Sequence, residues 1–345
     1  MLNSPLTKQL FIGLLAALFL VLALLAILQG PVDLKINTVI EILNAQLANN
    51  LPEHIMKWQQ SIIIDVRLPR VIIAMFAGAS LALCGLIMQG MFRNPLASPS
   101  VLGVSSGASL GAVIAIYFGF SLFSAWAIPL FAFIGAGISL SIVYRIASNQ
   151  GQTNIATLLL AGVAISALNV AAISLLLGLS LSNWDVARMI IYWTMGGLDG
   201  RTWDHVFIIL PIICSGFILL LFYNKSLDLL LLGEQHALSV GVDVKRTRRN
   251  LLIISTAMVG ASVSVVGGIG FIGLVVPHIL RLILGPSHRY LLPACLFGGA
   301  ITLISADLFL SLFFKESAIP LGVITAGLGA PFFLFLLIKQ RVEIN

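Results

Sequence analysis

Apolar runs about 20 residues long recur along this chain from one end to the other. As a helix, a run of that length spans the hydrocarbon core of a bilayer, about 30 Å. In hydrocarbon every backbone polar group must be bonded within the protein, so only helices or a closed barrel can cross. The runs lack the two-residue alternation of barrel strands. Only 9% of the residues are charged, whereas soluble domains carry about 25%. The sequence therefore predicts an all-α polytopic membrane protein, with one transmembrane domain over 1–345.

Ten spans are predicted, and the even number places both termini on one side of the membrane. The first apolar run, Leu10 to Leu28, has no charged residue and no Ala-x-Ala-like cleavage site, so it is expected to be a retained span rather than a removed signal peptide. The spans are predicted near 8–29, 70–92, 103–120, 125–146, 154–178, 205–224, 249–267, 268–284, 290–313 and 319–339.

Lysine and arginine set the expected orientation. Twelve of the nineteen lie on the side of the termini, and the acidic residues show the opposite bias. Because basic loops stay in the cytoplasm, both termini are predicted to be cytoplasmic, together with the longest loop, about 225–249. Segments of about 30–65 and 179–204 fall on the opposite side, the second with a short surface helix. The excess of basic over acidic residues then reflects topology and contact with the lipid bilayer, not nucleic-acid binding.

Two short segments of the chain resemble each other. GASLALCG (78–85) and GASVSVVG (260–267) are each followed by a proline ten residues after the last glycine. They belong to the second and seventh spans, which cross the membrane in opposite directions. This is the pattern of an inverted-topology repeat, so spans 2–5 and 7–10 are predicted to be related. A chance match in sequence rich in Gly, Ala and Ser is the alternative.

The sequence offers no motif for catalysis, cofactor binding or metal binding. No G-x-x-x-x-G-K-[ST] occurs, and GIGFIG (268–273) lacks the strand and acidic residue of a nucleotide fingerprint. Close helix packing by small residues explains that segment better. The histidines form no H-x-x-x-H and the three cysteines no C-x-x-C. We predict no catalytic residue, no metal site and no cofactor bound by this chain.

Two ionisable residues, His278 and Asp307, lie deep in apolar runs. Such residues are costly in a membrane and often functional, but structural roles are favoured here: a helix break at Pro277-His278 and an ion pair for Asp307. A stand-alone proton-coupled transporter would need more carboxylates or histidines along its path. A membrane-embedded hydrolase is less favoured still, because the serines near Ser105 have no nearby histidine.

Two surface segments suggest partners. DVRLPR (65–70) places Arg67 and Arg70 at the mouth of the second span, either as snorkelling anchors or as a docking site for an acidic partner. Residues 225–249 contain short apolar helical pieces separated by Gly233 and ended by Gly241. They fit either a membrane-surface helix or insertion into a groove on a soluble partner.

Several of these segments together resemble the FecCD-type permeases of ABC importers for ferric siderophores, haem and cobalamin. The resemblance covers nearly the whole chain in order, and R-N-P-L-A with the following LG-x-x-x-GA is its most specific element. It is carried by RLPR (67–70), GASLALCGLIMQGMFRNPLASPSVLGVSSGA (78–108), LLLAGVAISAL (158–168), GEQHALSVGV (233–242), GFIGLVVPHILR (270–281), HRYLLP (288–293) and IPLGVITAGLGAPFFLFLL (319–337).

The resemblance implies a non-catalytic permease subunit in a bacterial inner membrane, with a translocation path along its interface with a second permease copy, identical or pseudo-symmetric. A homodimer is the expected form. Two cytoplasmic ATP-binding subunits would bind ATP and Mg, and a periplasmic substrate-binding protein would deliver the cargo. Ferric siderophore is the first expected cargo, haem the second and cobalamin the third.

The resemblance also implies roles for individual residues. The coupling loop to the ATPase would contain Gly233, Glu234, Ala237 and Gly241, and the cytoplasmic gate would contain Asn94, Pro95 and Leu96. Docking of the binding protein would use Arg67 and Arg70. Ser311 and Ala318 stand where many relatives carry an arginine and an acidic residue, and Lys315 is the expected substitute for that docking charge. Polar, kinked backbone at membrane depth is tolerated where it lines a cavity, so residues 93–112 are interpreted as the hinge and gate of a transport path.

Overall fold

The computed structural model describes the chain except residues 1, 3, 31, 49–51, 53, 125, 150–151, 315–318 and 345, and it describes no side chains for 47–48, 149, 152–153 and 335–344. A two-stranded antiparallel hairpin, β1 (Ser148–Asn149) and β2 (Gln152–Thr153), accompanies the helices. The helices are α1 (Pro5–Leu28), α2 (Ile36–Ala48), α3 (Lys57–Ser61), α4 (Leu68–Phe92), α5 (Val104–Tyr117), α6 (Ala127–Ala147), α7 (Ile155–Leu179), α8 (Trp184–Met195), α9 (Trp203–Phe222), α10 (Asn224–Leu232), α11 (Glu234–Ser239), α12 (Val244–Val266), α13 (Ile272–Leu284), α14 (His288–Phe313) and α15 (Leu321–Ile344).

Seven helices in the described part of the chain are long and apolar enough to cross a membrane, and three shorter apolar helices accompany them. The shorter ones are α5, α13 and Leu321–Leu334 within α15. These ten follow the order of the predicted spans, which confirms an all-α polytopic membrane fold. The predicted surface helix in 179–204 is α8.

Two boundaries differ from the sequence prediction. The second span was predicted to begin at Arg70, yet helical backbone runs from Lys57 to Phe92. A π-helical turn, Ile62–Arg67, lies directly before Pro69, and its wider hydrogen-bond spacing lets the helix continue through a residue with no N–H donor. The eighth span begins at Ile272 instead of 268. Gly267 and Phe271, which follow α12, have positive φ angles that end one right-handed helix and precede the next.

Helices α4 and α12 form the centre of the bundle, and α1 lies at its edge. Helix α4 packs against α13 and α14, whereas α12 packs against α5 and α6. Since α13 and α14 are the second-half counterparts of α5 and α6, each central helix contacts the opposite half in the same way. This reciprocal pattern supports the predicted inverted repeat.

Glycines bring the central helix α4 into backbone contact with α13 and α14. A Cβ atom at Gly78 would overlap the carbonyl of Gly299 in α14, and one at Gly85 would overlap the carbonyl of Gly273 in α13. Small residues at such positions let membrane helices approach closely and gain van der Waals contact. Gly273 therefore has the packing role predicted for the GIGFIG segment.

Candidate translocation path and coupling surface

The predicted gate residues form a tight turn at the end of α4. Helix α4 ends at Phe92, and Arg93 adopts a left-handed conformation with φ of 50°. The Asn94 amide donates to the Gln89 carbonyl at 3.2 Å, and the Asn94 Oδ1 atom accepts from the Leu96 amide at 2.9 Å. Asn94 thus satisfies backbone freed by the turn. The assignment of Asn94, Pro95 and Leu96 as a gate stays a prediction.

A cavity of about 300 Å³ lies beyond this turn. Its lining includes Ser98, Pro99, Ser100 and Ser105 on the side of the turn and, from the 268–274 segment, every residue except Ile272, together with Leu81 of α4. The 93–112 stretch therefore lines a cavity at its serine-rich part, where the sequence analysis expected polar backbone to be tolerated.

The opposite wall is a break between two membrane helices. Helix α12 ends at Val266, Gly267 has a φ of 73°, and Phe271 has a φ of 66° before α13 begins. Irregular backbone at membrane depth occurs where it lines a cavity, and broken helices of this kind form binding sites in transporters. Sequence reasoning assigned GIGFIG only to packing. Closely spaced glycines at the junction of two apolar runs, with no polar loop between them, were the available signal.

Arg70 lies at the opposite end of α4 and forms a triad with two carboxylates. Its Nε and Nη2 atoms donate to Asp307 at 3.0 and 2.8 Å, and its Nη1 atom donates to Asp199 at 2.6 Å. The Asp307 side chain is 8% exposed and the Asp199 side chain 85% exposed. The structural ion pair expected for Asp307 is therefore present. Arg70 keeps a partly accessible guanidinium, and its docking role stays a prediction.

Arg67 is not at the surface where the sequence analysis placed it. It is 4% exposed, and its guanidinium donates to the carbonyls of Ile27 and Leu28, each at 2.9 Å, and of Val32. The first two are carbonyls at the end of α1, which lack partners within that helix. The structure thus corrects the surface position predicted for Arg67, because its Nη1 and Nη2 atoms donate inside the protein, and its docking role stays a prediction. Lys315 lies outside the described residues.

Arg67→Met is expected to lower the stability of the protein by about 2 kcal/mol, because buried carbonyls lose a charged donor. Thermal unfolding in detergent measures the change, with Lys57→Met as a control because Lys57 is exposed on the same segment. An unfolding temperature equal to that of the control would show that the cap contributes nothing.

The predicted coupling loop is a compact pair of short helices, α10 and α11, that packs on the first turn of α12. Gly233, with a φ of 124°, separates the two helices, and Gly241, with a φ of 85°, follows α11. Leu230, Ala237 and Val244 form a small apolar cluster beneath them. Ala237 is 0% exposed, so its side chain packs inside the loop, and the assignment of Gly233, Glu234, Ala237 and Gly241 to the coupling loop stays a prediction.

The surface of this helix pair is apolar where a soluble domain would be polar. Leu232, Leu238 and Val240 are 68%, 49% and 52% exposed, and charged residues such as Lys225, Asp243 and Lys245 surround them in the sequence. Glu234, one of the predicted coupling residues, pairs with Arg248 at 2.8 Å. Exposed apolar residues with a polar rim are typical of a protein–protein contact. Sequence reasoning named the glycines and missed these three residues.

The gate turn and the coupling helices are neighbours. A Cβ atom at Gly233 would lie 3.8 Å from Nη1 of Arg93, the residue that begins the turn at the end of α4. A movement of the loop can therefore reach the turn directly.

No group of three or more His, Cys, Asp or Glu that could hold a metal occurs among the described residues. His278 is half-buried within α13, next to Pro277. The helix does not break there, contrary to the sequence analysis: α13 continues through Pro277 to Leu284.

Comparison with known proteins identifies relatives along the whole chain. The model of the FecCD transport family matches residues 18–339. The cobalamin import system permease protein BtuC of Halobacterium salinarum is 45% identical over 82% of this chain and 75% of its own length. The hemin transport system permease protein HmuU of Yersinia pestis is 38% identical over 99% of both chains. A solved inward-facing ABC transporter described as of metal-chelate type aligns with a TM-score of 0.82 and 30% identity, over 95% of this chain and 99% of its own.

Proposed function

The chain belongs to the FecCD transport family, and we propose that, as the permease subunit of an ABC importer, it carries a metal chelate inward. One observation carries this proposal: the cavity between the serine-rich turn and the broken α12–α13 junction. It lies next to the gate turn, which contacts the helix pair proposed to meet the ATPase. Cargo path, gate and coupling surface thus follow one another in space.

Haem and cobalamin stand ahead of ferric siderophore as the proposed cargo. The family resemblance alone placed ferric siderophore first, but the relatives at 45% and 38% identity are named for cobalamin and hemin. All three are metal chelates too large for a cavity of about 300 Å³, which is at the lower limit for small-molecule sites. We therefore propose that a second copy of this chain completes the path.

The remaining partners are proposed to bind at the two opposite ends of the molecule. Two cytoplasmic ATP-binding subunits, which hold ATP and Mg, would take the exposed Leu232, Leu238 and Val240 into a groove. A periplasmic binding protein would dock at the opposite end, where Arg70 is partly accessible. The chain itself is non-catalytic and lies in the inner membrane with both termini in the cytoplasm.

Gly233→Trp is expected to uncouple ATP hydrolysis from uptake. The left-handed φ of 124° strains any side chain at Gly233, and an indole would in addition hold α10 and α11 away from the groove of the ATPase. Uptake should fall at least about tenfold, and Gly233→Ala, which has the strain without the bulk, should lose less. Gly178→Trp is the control, because Gly178 lies in open space at the far end of α7. Normal uptake by the Gly233→Trp variant would exclude this loop as the coupling element.

Uptake by cells that lack the gene identifies the cargo. The cells are supplied separately with labelled haem, labelled cobalamin and a panel of iron-55 siderophores, and each loss is tested for rescue by the intact gene and by the Gly233→Trp variant. Loss of haem or cobalamin uptake, rescued only by the intact gene, is the expected result. Loss of uptake for one siderophore would restore the first ranking, and no loss for any of the three would contradict the proposed cargo class.

A further inference from the structure

The carboxylate of Asp228, in α10, is bonded to the first turn of α14. Its Oδ1 atom accepts from the His288 amide at 2.8 Å and lies 2.6 Å from the Nδ1 atom of the same residue. Since a carboxylate only accepts, His288 carries the proton on Nδ1. The Ser287 hydroxyl donates to the other oxygen at 3.4 Å. Two helices distant in sequence are therefore tied through one side chain.

This contact replaces an ordinary helix cap. Ser287 occupies the N-cap position of α14, yet its side chain makes no capping hydrogen bond. Asp228 supplies the acceptor instead, and a carboxylate at that position also interacts favourably with the helix dipole. Burial acts to raise the pKa of the Asp228 carboxyl, but the hydrogen bonds from His288 and Ser287 outweigh it and hold the pKa below its ordinary value. The carboxylate is therefore charged at neutral pH.

The Nε2 edge of the His288 ring packs against α4. His288 is 0% exposed, and a Cβ atom at Gly90 would lie 2.7 Å from its Nε2 atom and 3.6 Å from Cδ2 of Leu227. Leu227, in α10, is itself 0% exposed. Helices α10, α14 and α4 thus meet at one buried point, three residues before the turn that begins at Arg93.

We propose that Asp228 and His288 are a positioning pair that transmits movement of the coupling helix α10 to the end of α4 and its gate turn. The inference rests on the proposed function, since it requires an ATPase that moves α10. A displacement of α10 pulls the capped end of α14 through Asp228, and the His288 ring presses on Gly90. The pair touches neither cargo nor nucleotide.

The test measures how accessible the gate turn is to a thiol reagent, and it requires no cargo. In a Cys214→Ser background, Leu96→Cys places a thiol in the gate turn, and a membrane-impermeant maleimide labels it in proteoliposomes that contain this chain with its ATPase subunits. The remaining cysteines, Cys84 and Cys295, are buried. The labelling rate is measured with and without ATP, and ATP hydrolysis is measured in the same vesicles.

Asp228→Ala is expected to reduce the effect of ATP on the labelling rate by about tenfold or more, because loss of a hydrogen bond to a charged group changes an equilibrium by about that factor. The assembled complex should still hydrolyse ATP. Asp228→Asn keeps an acceptor for the His288 donors and should retain most of the effect. Asn154→Ala is the matched control, because it removes the N-cap of another long helix, α7, and should leave the effect of ATP unchanged.

The outcomes separate this inference from the proposed function. Labelling that depends on ATP as strongly in Asp228→Ala as in the parent would overturn the transmission role. The same holds if the ATP effect and ATP hydrolysis fall together in proportion to assembled complex, which indicates a merely structural cap. Labelling insensitive to ATP in the parent protein would instead contradict the proposed coupling itself.

Discussion

Replacement of Gly85 by alanine should cost the protein about 3 kcal/mol of stability or more and leave little transporter in the membrane. The new Cβ atom would overlap the backbone carbonyl of Gly273, and backbone cannot rotate away as a flexible side chain can. Overpacking a core by one methylene costs about 1–3 kcal/mol, and a clash between two backbones lies at the upper end of that range. A native protein is stable by only about 5–15 kcal/mol.

The control is a glycine in a similar helix with no neighbour to meet. Gly137 in α6 has no heavy atom within 4 Å of the Cβ position, so Gly137→Ala should be neutral or stabilising by up to about 1 kcal/mol. Thermal unfolding in detergent and the amount of protein in isolated membranes measure both variants. If Gly85→Ala and Gly137→Ala unfolded at the same temperature, the close contact between α4 and α13 would be wrong.

Asp307→Ala should destabilise the protein by about 3–5 kcal/mol, because it leaves the Arg70 guanidinium partly buried with one exposed partner, Asp199. The paired replacement Arg70→Met with Asp307→Leu removes the charge together with its partner. It should recover most of the lost stability, since a buried ion pair and a well-packed apolar pair are often equivalent.

Unfolding temperatures of Arg70→Met, of Asp307→Leu and of the paired variant give the interaction energy as a double-mutant cycle. Arg188→Met, at an exposed position on the same side, is the control for loss of an arginine alone. Additive effects of the two replacements would contradict the pairing of Arg70 with Asp307.

Most spans could be predicted because crossing a bilayer requires an apolar run of about 20 residues, although α5 and α13 are shorter helices. The turn at Asn94 was also predictable, since proline and asparagine have local effects on backbone geometry. The continuation of α4 through Pro69 was not, because a π-helical turn has no sequence signal of its own. The burial of Arg67 depends on where α1 ends in space, which residues 65–70 do not encode.

The candidate site was predicted only in part, because local sequence features reveal a turn but not which helix faces it. The serine-rich wall of the cavity was found, because its prolines interrupt an apolar run. The opposite wall, 268–274, was assigned to packing, because glycines occur both where helices pack closely and where irregular backbone lines a cavity. The two roles differ only in which element lies opposite, and that is not visible in the sequence. Asp228 was not singled out, since its partner His288 lies 60 positions away.

The coupling of transport to ATP hydrolysis is tested most directly in proteoliposomes that contain this chain, its ATPase subunits and the binding protein loaded with the chelate that the uptake panel identifies. The measurement is accumulation of that labelled chelate in the compartment that holds the ATPase subunits. The expected result is accumulation that requires ATP and Mg and is unchanged by a proton ionophore. Accumulation that continues without ATP and is abolished by the ionophore would show a proton-coupled transporter and contradict coupling to ATP hydrolysis.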